Sequence, residues 1–109
     1  MADVPKETEK KISQLQIMEQ SLHSLSMQKQ QFQLQQVEVE SAIKELEKVD
    51  EAYRIIGNIM VLFKKPELKE DLQSKKEIVE LRIKNLEKQE NHIREKASKI
   101  QDEILKEMK

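Results

Sequence analysis

The fold is decided by the stretch Ile55-Ile56-Gly57-Asn58-Ile59-Met60-Val61-Leu62-Phe63, the only segment of the chain that lacks helical spacing. Gly57 is the single glycine of the sequence, and the pair Gly57-Asn58 suits a two-residue type II′ turn. The stretch therefore predicts a β-hairpin. Its paired residues would be Ile56 with Ile59, Ile55 with Met60, Arg54 with Val61, and Tyr53 with Leu62.

Strand alternation gives this hairpin two apolar faces. One face would carry Tyr53, Ile55, Met60 and Leu62, and the other Ile56, Ile59, Val61 and Phe63. A lone two-stranded hairpin is marginal in water, and exposed apolar strands aggregate, so we expect strands from other subunits to cover both faces. The residues assigned to oligomerisation are Tyr53, Ile55, Ile56, Gly57, Asn58, Ile59, Met60, Val61, Leu62 and Phe63.

The rest of the chain has the composition of long helices. Charged residues make up 38% and aromatic residues only 3%. Steps of three and four residues connect two series of seam positions. The first series is Leu15, Met18, Leu22, Leu25, Lys29, Phe32, Gln36, Val39, Ile43, Leu46, Asp50 and Tyr53, and the second is Leu72, Lys76, Val79, Ile83, Leu86, Glu90, Ile93, Ala97, Ile100 and Ile104. The sequence predicts one mostly α domain over residues 1–109, with coiled-coil helices at 1–52 and 65–109 and the hairpin at 53–64.

A tight hairpin should fold the two helices back antiparallel. Leu46 would then oppose the region of Lys75, and Leu15 the region of Leu105. Apolar side chains on and beside the seam would gather where the chain ends meet, and we expect this tip to bind partner polypeptides. The tip residues are Ile12, Leu15, Ile17, Met18, Ile100, Ile104, Leu105 and Met108. The alternative is frayed helix ends with scattered surface hydrophobic residues.

The sequence offers no candidate for catalysis or for a cofactor. There is no cysteine and no glycine-rich phosphate loop, which excludes P-loop and Rossmann nucleotide binding. His23 and His92 fall on outward positions of different helices without a second histidine at i+4, so we expect no metal site. The glutamates are interpreted as a solvated face, because acid-base chemistry needs a desolvating pocket. We expect that the protein is not an enzyme.

Nucleic acid and membranes are not expected partners. The formal net charge is −1, and the lysine doublets are spread along the chain rather than forming a basic stripe. The longest apolar run, Ile59 to Phe63, is far shorter than the ~20 residues of a spanning helix. No signal-peptide pattern opens the sequence, so we expect a cytoplasmic protein.

Four motifs in this order resemble the β type of prefoldin subunit, most closely the archaeal one. They are Ser26-Met27-Gln28-Lys29-Gln30, Ala42-Ile43-Lys44-Glu45-Leu46, Tyr53-Arg54-Ile55-Ile56-Gly57-Asn58-Ile59 and Leu86-Glu87-Lys88-Gln89-Glu90. The resemblance implies a hexamer of two α-type and four β-type subunits, whose hairpins join into an intersubunit β-barrel. It further implies an ATP-independent holdase, which binds unfolded clients with its coiled-coil tips and delivers them to a group II chaperonin.

Two other classes of function compete with this interpretation. A structural or tethering coiled coil without client binding would explain the heptads, although not the apolar hairpin that interrupts them. A nucleotide-exchange or tRNA-binding helical arm would be expected to show an appended β domain or a basic face.

Overall fold

The computed structural model describes residues 5–108. Two long helices flank one antiparallel hairpin, in the order α1 (Lys6–Leu46), β1 (Glu51–Ile56), β2 (Ile59–Lys64) and α2 (Lys65–Glu107). The mostly helical fold with one central hairpin is therefore confirmed. Residues 1–4 and 109, which the predicted helices included, lie outside the described residues.

The first helix ends at Leu46 and not at residue 52. Backbone N–H groups of Lys48 and Val49 donate to carbonyls three residues back, each at 3.2 Å. Such bonds tighten the last turn of a helix and end it. Asp50 and Tyr53, the last two predicted seam positions, are therefore not helical, and that extension of the seam was wrong.

The hairpin starts at Glu51, two positions before its predicted bound at 53. Strand β2 runs to Lys64, and its last two residues take Glu51 and Ala52 as their partners. The Lys65 N–H then donates to the Asp50 carbonyl at 2.9 Å, which closes the base of the hairpin. Helix α2 begins at once, with Pro66 in the first turn, where a missing N–H costs no helical hydrogen bond.

The described chain divides into two compact units. The hairpin unit is Gln30–Ile83, and the terminal unit comprises residues 5–29 and 84–108. Leu46, Leu68, Val79 and Ile83 form the buried core of the hairpin unit, and Leu86 is the buried aliphatic residue of the terminal unit. Every predicted seam position from Leu15 to Leu46 and from Leu72 to Ile104 is buried or half-buried, so the heptad prediction is confirmed over these ranges.

The predicted antiparallel register was wrong by about one helical turn in the terminal unit. Leu15 lines a cleft with Ala97 and Gln101, whereas the prediction placed it opposite the region of Leu105. Seam positions recur every three or four residues, so sliding one helix by a turn satisfies the heptad pattern equally well. Pairing between polar side chains on the seam can favour one of these registers, but the spacing of apolar residues contains no information about that pairing.

Candidate functional site

The hairpin has the predicted register. The pairs Ile56 with Ile59 and Ile55 with Met60 lead away from the turn, and the remaining predicted pairs are present. Gly57 has φ of 60°, and no other described residue has a positive φ. A positive φ at the first central residue alone belongs to a type II′ turn, as predicted. A Cβ on Gly57 would meet no atom within 4 Å, so the backbone conformation alone requires glycine here.

One face of the hairpin is open along its whole length. This outer face consists of Tyr53, Ile55, Met60 and Leu62, whose exposed fractions lie between 50% and 71%. Because a two-stranded sheet also leaves its edges unpaired, four neighbouring apolar side chains on it are a template for added strands. The outer face is therefore the strongest candidate for contact with other subunits.

The opposite face of the hairpin is partly covered by the chain's own helices. Val61 and Phe63 are half-buried, while Ile56 and Ile59 beside the turn stay exposed. We had expected both faces to depend on other subunits, and for Val61 and Phe63 that expectation was too broad. A guanidinium nitrogen of Arg54 lies 3.3 Å from a carboxylate oxygen of Asp71 in α2, so Arg54 ties this face to the helix.

Ion pairs join the turn that follows α1 to the start of α2. The Glu47 carboxylate lies 3.0 Å from the Lys69 ammonium and 3.4 Å from that of Lys65. Hydrogen bonds from Lys69 and then Lys65 lower the pKa of Glu47 from its ordinary value. Beside this junction is a cavity of about 410 Å³, which Leu46, Leu68 and other residues line.

In the terminal unit, the predicted tip residues fall into two classes. Leu15, Met18, Ile100 and Ile104 are half-buried seam residues. The off-seam residues are exposed, with fractions of 38% for Ile12, 62% for Ile17, 63% for Leu105 and 60% for Met108. The second class is the apolar surface that the sequence predicted to have no partner within the chain.

The structure brings together only some of these tip residues. Ile17, Met18 and Ile100 line one groove of about 430 Å³, together with Lys96 and Lys99, and we call it the terminal groove. Ile12 lies three residues before the seam position Leu15 and Leu105 lies one residue after Ile104, whereas Ile17 lies one residue before Met18. At 100° per residue, Ile12 and Leu105 therefore lie on the flank opposite Ile17. Met108 does not line the groove either.

Four polar residues of the terminal unit form a cluster that the sequence interpretation missed. Thr8 donates a hydrogen bond to Glu107, and the Lys11 ammonium contacts Glu107 and lies 3.3 Å from Glu103. These contacts, led by the hydrogen bond between them, raise the pKa of Lys11 and lower that of Glu107. The three- and four-residue steps do continue through Lys11, Thr8 and Glu107 beyond the last apolar seam positions, but these steps do not show which side chains of the two helices meet.

A second polar pair lies within the seam of the terminal unit. Glu90 is almost fully buried, and its Oε1 lies 2.8 Å from the Lys29 ammonium. Despite this short distance Oε1 accepts no hydrogen bond from the described residues, whereas Arg94 donates to Oε2 at 3.5 Å. A buried charge pair of this kind specifies register more clearly than it adds stability.

Other exposed apolar side chains lie away from the hairpin and the tip. On α1 they are Met27, Leu34 and Val37, which the sequence suggests as the alternative client surface if the tip does not bind clients. On α2 they are Ile78 and Leu81, which were not predicted as a surface. Single exposed hydrophobic residues are ordinary on protein surfaces, so these have less weight than the two sites above.

The described residues contain no cluster of histidine, cysteine and carboxylate side chains that could hold a metal ion. His23 and His92 are exposed. Neither helix, over its described length, is apolar enough to cross a bilayer.

Comparisons with known proteins agree with this geometry. A family model described as "Prefoldin subunit" matches residues 9–109. The prefoldin subunit beta of Archaeoglobus fulgidus is 35% identical over 107 residues, covering 95% of this chain and 92% of the relative. That of Thermococcus onnurineus is 33% identical over 107 residues, with 95% and 92% covered. The crystal structure of the prefoldin beta subunit from Thermococcus strain KS-1 matches with a TM-score of 0.90 at 30% identity, covering 95% of this chain and 94% of that one.

Proposed function

The chain belongs to the prefoldin family, and we propose that it acts as an ATP-independent holdase subunit that assembles through its hairpin and binds unfolded polypeptides with its terminal unit. Prefoldin subunits are chaperone components and not enzymes, so the chain is a non-catalytic protein. Assembly with other prefoldin subunits follows from membership of the family.

The observation that carries the proposal is the concentration of exposed apolar side chains on two surfaces of a chain that is 38% charged. The outer face of the hairpin holds Tyr53, Ile55, Met60 and Leu62 in one sheet, which suits fixed, strand-mediated assembly. The exposed residues of the terminal unit lie on helix surfaces and include a flexible methionine. Such a surface adapts to clients of differing shape.

We propose that the partners are prefoldin α-type subunits and further copies of this chain, in a hexamer of two α-type and four β-type subunits. The hairpins would join strands of their neighbours in an intersubunit β-barrel, which would cover the outer face. Held clients would pass to a group II chaperonin, and the complex would act in the cytoplasm, as the resemblance implies. The single domain over residues 1–109 is part of this proposal.

The proposal is tested with the complex formed by co-expression with an α-type subunit. A chemically denatured protein is diluted into buffer without ATP, and its light scattering is recorded with and without the complex. We expect the complex to suppress scattering when it is equimolar with the denatured protein. It should do so without ATP, because no part of the sequence offers a nucleotide-binding loop.

Strict dependence on ATP, with no other ATPase present, would contradict the holdase proposal. A complex that assembles normally but leaves aggregation unchanged would instead support the second candidate, a tethering coiled coil. The continuous heptad seam is the observation that favours this second candidate.

A further inference from the structure

We propose that the terminal groove selects client segments in which apolar side chains are flanked by acidic residues. This inference rests on the proposed holdase function and adds a client preference to it. The groove combines an apolar floor with a basic rim, and these two features would recognise two different parts of the same segment.

The floor of the groove consists of Met18 and Ile100, one from each helix, and Ile17 forms one wall. Met18 and Ile100 are half-buried seam residues, so their position is fixed by the packing of the two helices. Ile17 is mostly exposed, and a bound segment would cover it. An apolar client side chain would therefore lie between a rigid floor and one exposed wall.

The rim carries a net positive charge, because two lysines and one glutamate line the groove. Lys96 and Lys99 line the groove, and neither forms an ion pair within 4 Å with any residue of 5–108. Glu103 also lines the groove, but its carboxylate lies 3.3 Å from the Lys11 ammonium. Lys11 is shared between Glu103 and Glu107, so Glu103 still offsets part of the lysine charge, and two lysines against one glutamate leave the lining with a net positive charge.

The spacing of the two lysines fits an extended peptide. Lys99 follows Lys96 by three residue steps, which is about 4.5 Å along the helix axis. Adjacent residues of an extended chain are about 3.3 Å apart, so one or two acidic residues next to an apolar one span a similar distance. A segment of this pattern would place its carboxylates at the rim while its apolar side chain lies on the floor.

The opposite flank of the terminal unit lacks this charge. The cleft there is lined by Leu15, Met18 and other residues, and its charged members are one acid, Glu19, and one base, Arg94. Arg94 in turn lies 3.5 Å from a carboxylate oxygen of Glu90. The basic rim is therefore a property of the Ile17 flank, and acidic segments should favour that flank.

The test measures fluorescence anisotropy of labelled peptides that bind the assembled complex without ATP. Three peptides share one apolar core and carry acidic, amide or basic flanks. A fourth keeps the acidic flanks and replaces the apolar core with serine. The complex contains this chain as wild type, as Lys96→Gln/Lys99→Gln, or as the matched control Lys84→Gln/Lys88→Gln. The control removes the same charge from exposed positions of the same helix that do not line the groove.

For the wild type, we expect the acidic-flanked peptide to bind about two- to tenfold more tightly than the amide-flanked one. This is the range of affinity that one or two exposed ion pairs add. The groove variant should lose this preference and keep its affinity for the amide-flanked peptide, while the control variant keeps both. Raising the salt concentration from ~0.1 M to ~1 M should also remove the preference, because charges are screened within about 3 Å at the higher concentration.

Three results would overturn the inference: no preference for acidic flanks, a preference that survives in the groove variant, or equally tight binding of the serine-core peptide. A complex that suppresses aggregation of a denatured protein but shows one of these results would retain the proposed function and lose only the groove preference. A complex that binds no peptide and also fails to suppress aggregation would contradict the proposed function itself.

Discussion

Replacing Ile55 and Met60, the pair of the hairpin's outer face nearer the turn, should dissociate the complex without unfolding the chain. In Ile55→Ser/Met60→Ser, two side chains that face each other across the strands lose their apolar bulk. Burying such a side chain fully contributes about 1.5–3 kcal/mol, and 71% of Ile55 and 66% of Met60 are still exposed in the single chain. Assembly could therefore bury enough to contribute about 1–2 kcal/mol per residue.

The double variant should thus lose about 2–4 kcal/mol of assembly free energy per subunit, which corresponds to about 30- to 700-fold weaker association. Native mass spectrometry after co-expression with an α-type subunit measures the loss, and circular dichroism checks that the helices persist. The matched control is Leu34→Ser/Leu81→Ser, which removes two similarly exposed side chains from the helices of the same unit. If the double variant assembles as well as this control, the outer face is not the assembly surface.

Two further predictions concern the polar contacts of the terminal unit. Glu107→Gln should lower the thermal unfolding temperature. The pKa of Glu107 is depressed in the folded state, so its contribution is present above the ordinary value and disappears as pH falls through the folded pKa. The raised pKa of Lys11 extends the contribution to the alkaline side. The difference from wild type should therefore be constant between about pH 5 and pH 10 and shrink as the pH falls further, and a difference that does not shrink in acid would refute this assignment. Lys29→Met should destabilise the chain by about 3 kcal/mol, because it leaves the buried Glu90 carboxylate with only the longer contact to Arg94. In contrast, Lys29→Leu/Glu90→Leu should be about neutral in urea unfolding. Equal losses in both variants would contradict the buried-pair argument.

The hairpin could be predicted from sequence to the level of single residue pairs. A two-residue turn fixes every pairing that follows it, and Gly57 is the only glycine in the chain. The end of α1 could not be predicted as well, because the heptad steps continue through Asp50 and Tyr53 although the helix ends at Leu46. Hydrogen bonds donated by the backbone N–H groups of Lys48 and Val49 set the end of the helix, and the spacing of apolar residues does not predict these bonds.

In the candidate sites too, some features could be predicted from the sequence and others could not. Off-seam residues such as Ile17 and Leu105 could be identified as exposed because a heptad pattern separates inward from outward positions. The pairing of Lys11 with Glu103 and Glu107 could not, since it depends on the longitudinal register of the helices, which a repeating pattern leaves open. For the same reason, the joining of Ile17 with Ile100 in one groove became visible only in the structure.

The measurement that tests the account most directly separates holding from assembly. Ile12, Ile17, Leu105 and Met108 are replaced together by serine, which removes the exposed apolar side chains predicted at the tip and leaves the seam positions and Met27 unchanged. Each would contribute at most about 1.5–3 kcal/mol to client binding, and a complex with several copies loses avidity as well. Light scattering of a denatured protein is compared at equal concentrations of wild-type and variant complex. We predict that the variant assembles normally and no longer suppresses scattering, whereas normal assembly with undiminished suppression would show that clients bind elsewhere.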